Sequence, residues 1–582
     1  MKKSMKILIL LPTVGYDADR FGFQTSGDFP TGLAYVASAL KAAGHDVDGL
    51  NPNNDVSYTS PKKMLKDKLT AKLQENSNDA VCLGGLCIHF QFLEDSIALI
   101  REVSPQSKIV IGGGIVTDDA YFIFENLKPD FAICGQAEET IVQVMEALTN
   151  TPNEYEHIPN LHFWKDGKHC NTPLSHKYGN IDDRAFPDYS LFDMEDMLEH
   201  GGLHNQNLFR YTRSKPRVMS IITALGCPFK CTFCVHDTVH RYKERSIPRI
   251  MEEIGQLYDR YKFNVLIMLD ELFAIYKDRF HAICEELIIQ RERNGWDFDW
   301  MFQTHASANL TEADLKMLKK AGCYYFSYGI ESASPEVLKS MKKKTQPEQI
   351  QNAIELSRKA EIGFGGNFIF GDIIENFETA KESMLFFDKN CKDMHTNLGV
   401  IHPYPGSKLF SDWSVENNFD DADRLSFYRH IDREFVNLTK LPDNHWARIS
   451  REIFTLTASN WEQASPAISC EEEPEGPDTL WAEKVGAKVY KIHAVCPHCK
   501  QESHLREALG PNNRKEAFEA AQKNKIIFNM KYEPPVDPKE RKDADDLIEV
   551  FQNIDTSATK GKDYFNTGCP KCLKSFNVLL NR

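Results

Sequence analysis

The stretch Leu225-Gly-Cys227-Pro-Phe-Lys-Cys231-Thr-Phe-Cys234 sets three thiols three and then two residues apart, directly behind an apolar run, Val218-Met-Ser-Ile-Ile222, that predicts a strand. Cysteine thiolates are the usual ligands of iron-sulfur clusters. Three of them hold three irons of a four-iron cluster and leave the fourth open to chelate a small molecule. A zinc site or chance clustering is the competing reading, and the strand-then-loop context weighs against it.

Downstream of this loop, short apolar runs alternate with longer helical stretches. The runs are Val218 to Leu225, Val265 to Asp270, Trp300 to Thr304, Tyr324 to Gly329, Asn367 to Phe370 and Thr396 to Ile401. Six such units predict a partial, TIM-like (β/α)6 barrel, open along one side, within residues 216–440. Chemistry in such barrels sits at the carboxyl ends of the strands. Those ends carry Asp270-Glu271, Thr304-His305, Glu331-Ser332, Gly371-Asp372 and His402-Pro-Tyr-Pro-Gly406. Singly, a residue such as His305 is more often a structural hydrogen-bonding group than an acid or base.

Upstream, residues 1–150 repeat the alternation with shorter units: runs Ile7 to Leu11, Val81 to Cys87, Ile109 to Ile111 and Phe131 to Cys134, and helical stretches Gly32 to Ala43, Phe92 to Val103 and Glu138 to Leu148. This pattern predicts a doubly wound α/β domain on a parallel sheet, with ligands beyond the carboxyl ends of the strands. Glycines gather at those ends, at Gly84-Gly85, Gly112-Gly113-Gly114 and Gly135, where a backbone can approach a bulky ligand. Residues 151–215, proline-dotted and weakly periodic, read as a linker over the domain junction.

Residues 441–582 form the last segment, in which Glu471-Glu-Glu-Pro-Glu-Gly-Pro477 reads as a solvated linker. Beyond it stand two thiol pairs, Cys496-Pro-His-Cys499 and Cys569-Pro-Lys-Cys572. Two such knuckles suit one tetrahedral zinc in a small zinc-ribbon-like domain. An auxiliary iron-sulfur cluster and a redox dithiol stay open as alternatives, and His493, His498 and His504 could substitute as ligands.

Composition narrows the classes. The 582 residues carry a formal charge of −15, which argues against a nucleic-acid or anionic-membrane surface. The tightest basic run, Lys342-Lys343-Lys344, reads as a solvated helix end. No apolar run is long enough to span a membrane, and Met5 to Pro12 is too short for a signal peptide. A soluble, cytoplasmic protein is expected, in which the 15 cysteines serve metals rather than disulfides.

The three-thiol loop, with Phe233 just before its last cysteine, resembles the signature of the radical S-adenosylmethionine (SAM) enzymes. In that family the open iron binds the amino and carboxylate groups of SAM, whose reductive cleavage gives a 5′-deoxyadenosyl radical. Arg241-Tyr-Lys-Glu-Arg245, Gly329-Ile-Glu331-Ser, Phe370-Gly371-Asp-Ile-Ile-Glu375 and Pro403-Tyr-Pro-Gly406 are similar to the landmarks that follow the loop in relatives. The resemblance implies a SAM pocket framed by Phe233, Asp270, Gly329, Glu331 and Gly371, with Asp372-Ile-Ile-Glu375 standing where many relatives have Pro-Gly-Glu.

The first domain resembles the cobalamin-binding domain of many radical SAM enzymes at three places: Phe29 to Asp46, Ile111 to Thr117 and Cys134 to Thr140. It departs from them at Gly114-Ile115 and at Gly135-Gln-Ala-Glu138. The resemblance implies cobalamin contacts from Thr31, Gly32, Leu33, Gly84, Gly85, Gly112, Gly113, Gly114, Gly135 and Glu138. The chain has no Asp-x-His-x-x-Gly segment, so the cobalt is expected to lack a protein histidine. The tRNA methylthiotransferases offer a rival, with a second cluster on Cys82, Cys87 and Cys134, although free cysteines in apolar runs are commonly buried core residues.

Together these resemblances, over residues 5–415, imply a cobalamin-dependent radical SAM enzyme. Its expected reaction is methylation of an unactivated carbon or phosphorus of a small molecule or peptide, through methylcobalamin and the 5′-deoxyadenosyl radical. A flavodoxin- or ferredoxin-type protein would donate the electron. Oxidative cyclisation or rearrangement is the alternative chemistry, and a non-catalytic cobalamin or cluster carrier is the rival from another class.

Overall fold

The structure, a computed structural model, describes residues 4–580 except 14, 17–28, 54, 56, 59, 176–178, 201–211, 214, 236–241, 392–393, 432–434, 460–461, 477–478, 485, 510–524 and 560–561. The landmark residue Arg241 lies outside the described residues. The first sheet contains β1 (Lys6–Leu10), β2 (Asp46–Leu50), β3 (Ala80–Gly84), β4 (Lys108–Gly112), β5 (Phe131–Ile133), β6 (Leu161–Lys165) and β7 (Lys168–Asn171) in the order β2-β1-β3-β4-β5-β6-β7. The pairings β1/β2, β1/β3, β3/β4 and β4/β5 are parallel. Every residue of β3 is buried, because helices cover both faces of the sheet and an uninterrupted apolar strand is what such a site demands. Five of those helices are α1 (Thr31–Ala42), α2 (Pro61–Glu75), α3 (Phe90–Val103), α4 (Gly114–Leu127) and α5 (Glu138–Asn150). The strand order reverses between β1 and β3, and the carboxyl ends flanking that switch open a crevice of the kind that takes a ligand.

Residues 161–171, read from the sequence as linker, instead add β6 and β7 antiparallel to the sheet edge. The cause is a two-residue turn, Asp166-Gly167, with φ of 50° and 73° at its two positions. Left-handed backbone at both turn residues matches the twist of a hairpin, and Asp-Gly is among the pairs that accept it most readily.

The second sheet is a curved, six-stranded partial barrel built from β8 (Val218–Ile221), β11 (Val265–Met268), β12 (Asp299–His305), β13 (Cys323–Glu331), β14 (Gly363–Phe370) and β15 (His395–Val400). Neighbouring strands pair parallel in the order β15-β14-β13-β12-β11-β8. Between β8 and β11, the short β9 (Ala224–Leu225) and β10 (Lys243–Glu244) pair antiparallel and flank the thiol loop.

The two halves are clamped together. Asp119 of α4 accepts a hydrogen bond from Tyr428 Oη at 2.9 Å and lies 2.6 Å from Arg424 Nη2, both on the helix Asp421–His430. At Gly406, φ is 91°, and a Cβ there would come within 2.6 Å of Asp118 Cβ. Only glycine combines that backbone with so close an approach.

The third sheet joins β16 (Ala464–Glu472), β17 (Lys488–Val495), β18 (Glu502–Leu509), β19 (Asp563–Gly568) and β20 (Ser575–Leu580) in the order β18-β17-β16-β20-β19. It caps the amino-terminal mouth of the barrel. Leu573, in left-handed backbone with φ of 57°, is buried against Val218, Val265, Ile267, Met301, Tyr324 and Tyr325.

Candidate active site

Two sets of strand ends face each other. A cavity of about 750 Å³ is floored by the loops that leave the first sheet: Pro12 after β1, Gly84-Gly85-Leu86 after β3, Gly112-Gly113-Gly114 after β4 and Gly135 to Glu138 after β5. Leu33 and Val36 of α1 and Ile141 of α5 line it too, and on the barrel side it reaches Ile222, Leu225 and Leu269.

The glycines on this floor do two kinds of work. Gly113 has φ of 88°, and a Cβ there would stand 2.7 Å from Gly85 O, so these two loops cross at backbone contact. Gly32, in contrast, has nothing within 4 Å of where a Cβ would be, so its absence of a side chain opens space. A wide, largely apolar chamber with few polar groups and a glycine-cleared wall fits a large, amide-bearing tetrapyrrole such as cobalamin. Of the sequence-predicted contacts, Gly32, Leu33, Gly84, Gly85, Gly112, Gly113, Gly114, Gly135 and Glu138 line the chamber. Thr31 does not: it is buried, and its hydroxyl donates to Phe29 O at 3.2 Å. Glu138 closes one side by accepting from Arg184 Nη1 at 2.7 Å.

Beyond the chamber lies the thiol loop, with Cys227, Cys231 and Cys234 half-buried. The loop is held from several directions. Thr232 N–H donates to Met341 O at 3.0 Å, and Leu409 N–H donates to Thr232 O at 2.9 Å. Its entry is braced by Asp270, which accepts from Thr223 N–H at 2.5 Å and also from the Thr223 hydroxyl. Burial raises the Asp270 carboxyl above the usual range, while the Thr223 bonds pull the other way. Asp270 thus faces the strand that leads into the thiol loop. Phe233 packs against a buried apolar cluster that includes Ile115 and Val116 of α4 with Leu409 and Phe410, and Phe229 stacks on His305 with ring centroids 4.4 Å apart.

Next to the thiols, Gly329 and Glu331 end β13. Glu331 has φ of 63°, a left-handed backbone that a glutamate rarely adopts, and the β13/β14 register shifts beside it. Strain of this kind persists where the surroundings over-determine a functional geometry. The Glu331 carboxylate meets Lys343, whose residue is 6% exposed. The sequence expectation for Lys342-Lys343-Lys344 is corrected here: Lys343 turns inward to a buried partner instead of solvating a helix end. Gly371, with φ of 108°, donates its N–H to the buried Glu375 at 2.6 Å, and a Cβ on it would strike Trp446 at 2.7 Å.

A second set of thiols, Cys496, Cys499, Cys569 and Cys572, has all its sulfurs within 4.8 Å of one another. In the second set the Cys496–Cys572 and Cys499–Cys569 sulfurs lie 3.8 Å and 3.5 Å apart. Four thiolates about 2.3 Å from one ion stand about 3.8 Å from each other, while a cube of irons spreads its thiolates wider. His498 is taken up by Ser575 O at 3.0 Å. His493 and His504 stack on each other at 4.4 Å and form, with Glu502, a group separate from the four sulfurs. Cys82, Cys87 and Cys134 are buried core residues, burial pushing the thiols of Cys82 and Cys134 up to about 12.

Known families agree with this geometry. Residues 28–145 match the B12 binding domain and residues 221–387 match the radical SAM superfamily. The chain thus carries a B12 binding domain followed by a radical SAM domain, the domain order of the cobalamin-dependent radical SAM enzymes. An uncharacterized methyltransferase of Pyrococcus horikoshii is 27% identical over 72% of this chain and 84% of its own length. An anaerobic magnesium-protoporphyrin IX monomethyl ester cyclase of Cereibacter sphaeroides is 26% identical over 70% of this chain; the match spans 64% of that cyclase, less than two thirds. The solved radical SAM methyltransferase TsrM of Kitasatospora setae, with cobalamin and a [4Fe-4S] cluster bound, shares the fold with a TM-score of 0.56 at 16% identity, over 71% of this chain and 75% of its own. No helix among the described residues is long and apolar enough to cross a membrane.

Proposed function

We propose that this enzyme is a methyltransferase acting on an unactivated carbon or phosphorus of a small molecule or peptide. The observation that carries the reading is the shared chamber: the glycine-cleared floor of the first sheet and the strand ends beside the thiol loop border one space. Cobalamin in that chamber supplies a methyl carrier, and SAM on a four-iron cluster supplies a radical initiator. Cys227, Cys231 and Cys234 are the proposed cluster ligands, and Gly329, Glu331, Lys343 and Gly371 the proposed frame of the SAM site. The chain's own task is to hold the two reactants across a water-poor gap. Leu86, Ile222, Leu225 and Leu269 serve it by presenting apolar side chains to that gap. The Cys496, Cys499, Cys569 and Cys572 set is proposed to hold a structural zinc. A small one-electron donor protein is the proposed external partner.

The test is incubation of reconstituted, cobalamin-loaded protein with SAM and dithionite. The reading expects 5′-deoxyadenosine above a Cys231→Ala control, and S-adenosylhomocysteine in amounts that track bound cobalamin. Oxidative cyclisation is the second reading, supported by the likeness to the Cereibacter cyclase; it expects 5′-deoxyadenosine without S-adenosylhomocysteine. No 5′-deoxyadenosine would leave a carrier.

A further inference from the structure

His89 stands at the end of the short 3-10 turn Cys87–His89, between the Gly84-Gly85 floor and α3. It lines the cavity, and the residue is 8% exposed. Its ring is wedged under the floor: a Cβ on Gly85 would be 2.9 Å from His89 Nδ1. Leu86 N–H donates to that Nδ1 at 3.0 Å. Because Nδ1 accepts a hydrogen bond, the neutral ring carries its proton on Nε2. Burial keeps the ring neutral by lowering its pKa to about 4. Nε2 is buried and has no hydrogen-bond partner among the described residues. Buried N–H donors almost always have an acceptor, since leaving one unmade forfeits the water it had in the unfolded chain.

We infer that His89 is a cobalamin-binding residue whose Nε2–H donates to an oxygen acceptor of the tetrapyrrole and which does not ligate cobalt. The inference rests on the reading that this cavity holds cobalamin. An uncharged donor suits the ligand: cobalamin carries neutral amides around its ring and one phosphate in its nucleotide loop, and either oxygen would satisfy an imidazole N–H. Cobalt ligation would instead require a bare Nε2 lone pair. The Leu86 bond disfavours it, because turning the ring to supply that lone pair would strip Leu86 N–H of its acceptor.

The experiment uses the full chain, titrated anaerobically with hydroxocobalamin and followed by absorbance. H89L and H89F, which remove the donor, are expected to weaken binding about tenfold. H89Q, which keeps an N–H at similar reach, is expected to stay within about threefold of wild type. Cobinamide, which lacks the nucleotide loop, locates the acceptor: a penalty for H89L that persists puts it on the ring amides, and one that vanishes puts it on the phosphate. Equal binding by wild type, H89L and H89F would overturn the inference while leaving the cobalamin reading intact. Failure of wild type to bind at all would remove that reading itself. Should the donor-less variants not fold, wild type compared with H89Q still decides. Nitrogen splitting in its cob(II)alamin electron paramagnetic resonance spectrum that disappears in H89Q means ligation, and its absence together with a cobalamin-protected Nε2–H in ¹⁵N-histidine-labelled protein supports donation.

Discussion

Lys343 Nζ lies 2.8 Å from Glu331 Oε1, with side chains 7% and 11% exposed, beside the thiols of Cys227 and Cys231. Removing one partner of so buried a pair strands the other charge at a cost of about 3–5 kcal/mol, whereas replacing both is often neutral. K343M is therefore expected to lower the melting temperature sharply, and the double variant K343M/E331M to restore it. SAM affinity, measured on reconstituted protein by equilibrium dialysis, should be lost in both. A double variant that melts like wild type and still binds SAM would reduce the pair to a structural brace.

Two glycines on the chamber floor should separate folding from binding. G113A forces a side chain into left-handed backbone and against Gly85 O, which should destabilise the fold by about 2 kcal/mol or more. G32A meets open space and should melt like wild type while weakening cobalamin uptake, because its methyl occupies ligand volume. Thermal melts without cofactor and absorbance titrations with hydroxocobalamin read the two effects independently.

Glu375 supplies a pH dependence. Burial raises its carboxyl from 4.5 to about 7, with the Gly371 N–H bond opposing. Below pH 4.5 folded and unfolded chains both carry the proton, and the stability advantage is complete. Between 4.5 and about 7 the unfolded chain loses its proton first, so folding stability falls as pH rises, by about 3 kcal/mol in all. E375Q should flatten that part of the profile in chemical denaturation measured across the window. A slope unchanged in E375Q would assign the dependence to other groups.

The four-thiolate set at the barrel floor is expected to bind metal without doing chemistry. C569A should lose about one zinc per chain and melt earlier, because a bound metal supplies folding energy that a small sheet lacks. Its iron content should match wild type. Loss of about four irons with zinc unchanged would mean an auxiliary cluster instead.

Much of this architecture was legible in the chain. The alternation of apolar runs and helical stretches announced the two mainly parallel sheets, and the spacing of Cys227, Cys231 and Cys234 marked the loop that follows β8. What escaped were features decided by how individual side chains and short turns settle in the packed fold. Lys343 sits in a run of three lysines, which by composition is a solvated end, and only the path of the chain from β13 through the helix Pro335–Ser340 brings it back to Glu331. His89 gave no signal because its significance lies in a hydrogen bond that is missing. Asp166-Gly167 is legible as a hairpin turn, but it lies in a stretch whose scattered prolines and weak periodicity read as a linker.

Leu573 gives the barrel an unusual timetable. The residues it seals against, from Val218 to Tyr325, leave the ribosome well before residues 563–580 do. Until then Val265, Ile267 and Met301 border an open apolar floor, the kind of surface that invites aggregation or a chaperone during synthesis. The barrel is thus finished from beneath by a segment made after it, and a chain stopped after the last barrel strand would carry Cys227, Cys231 and Cys234 on a scaffold without a base.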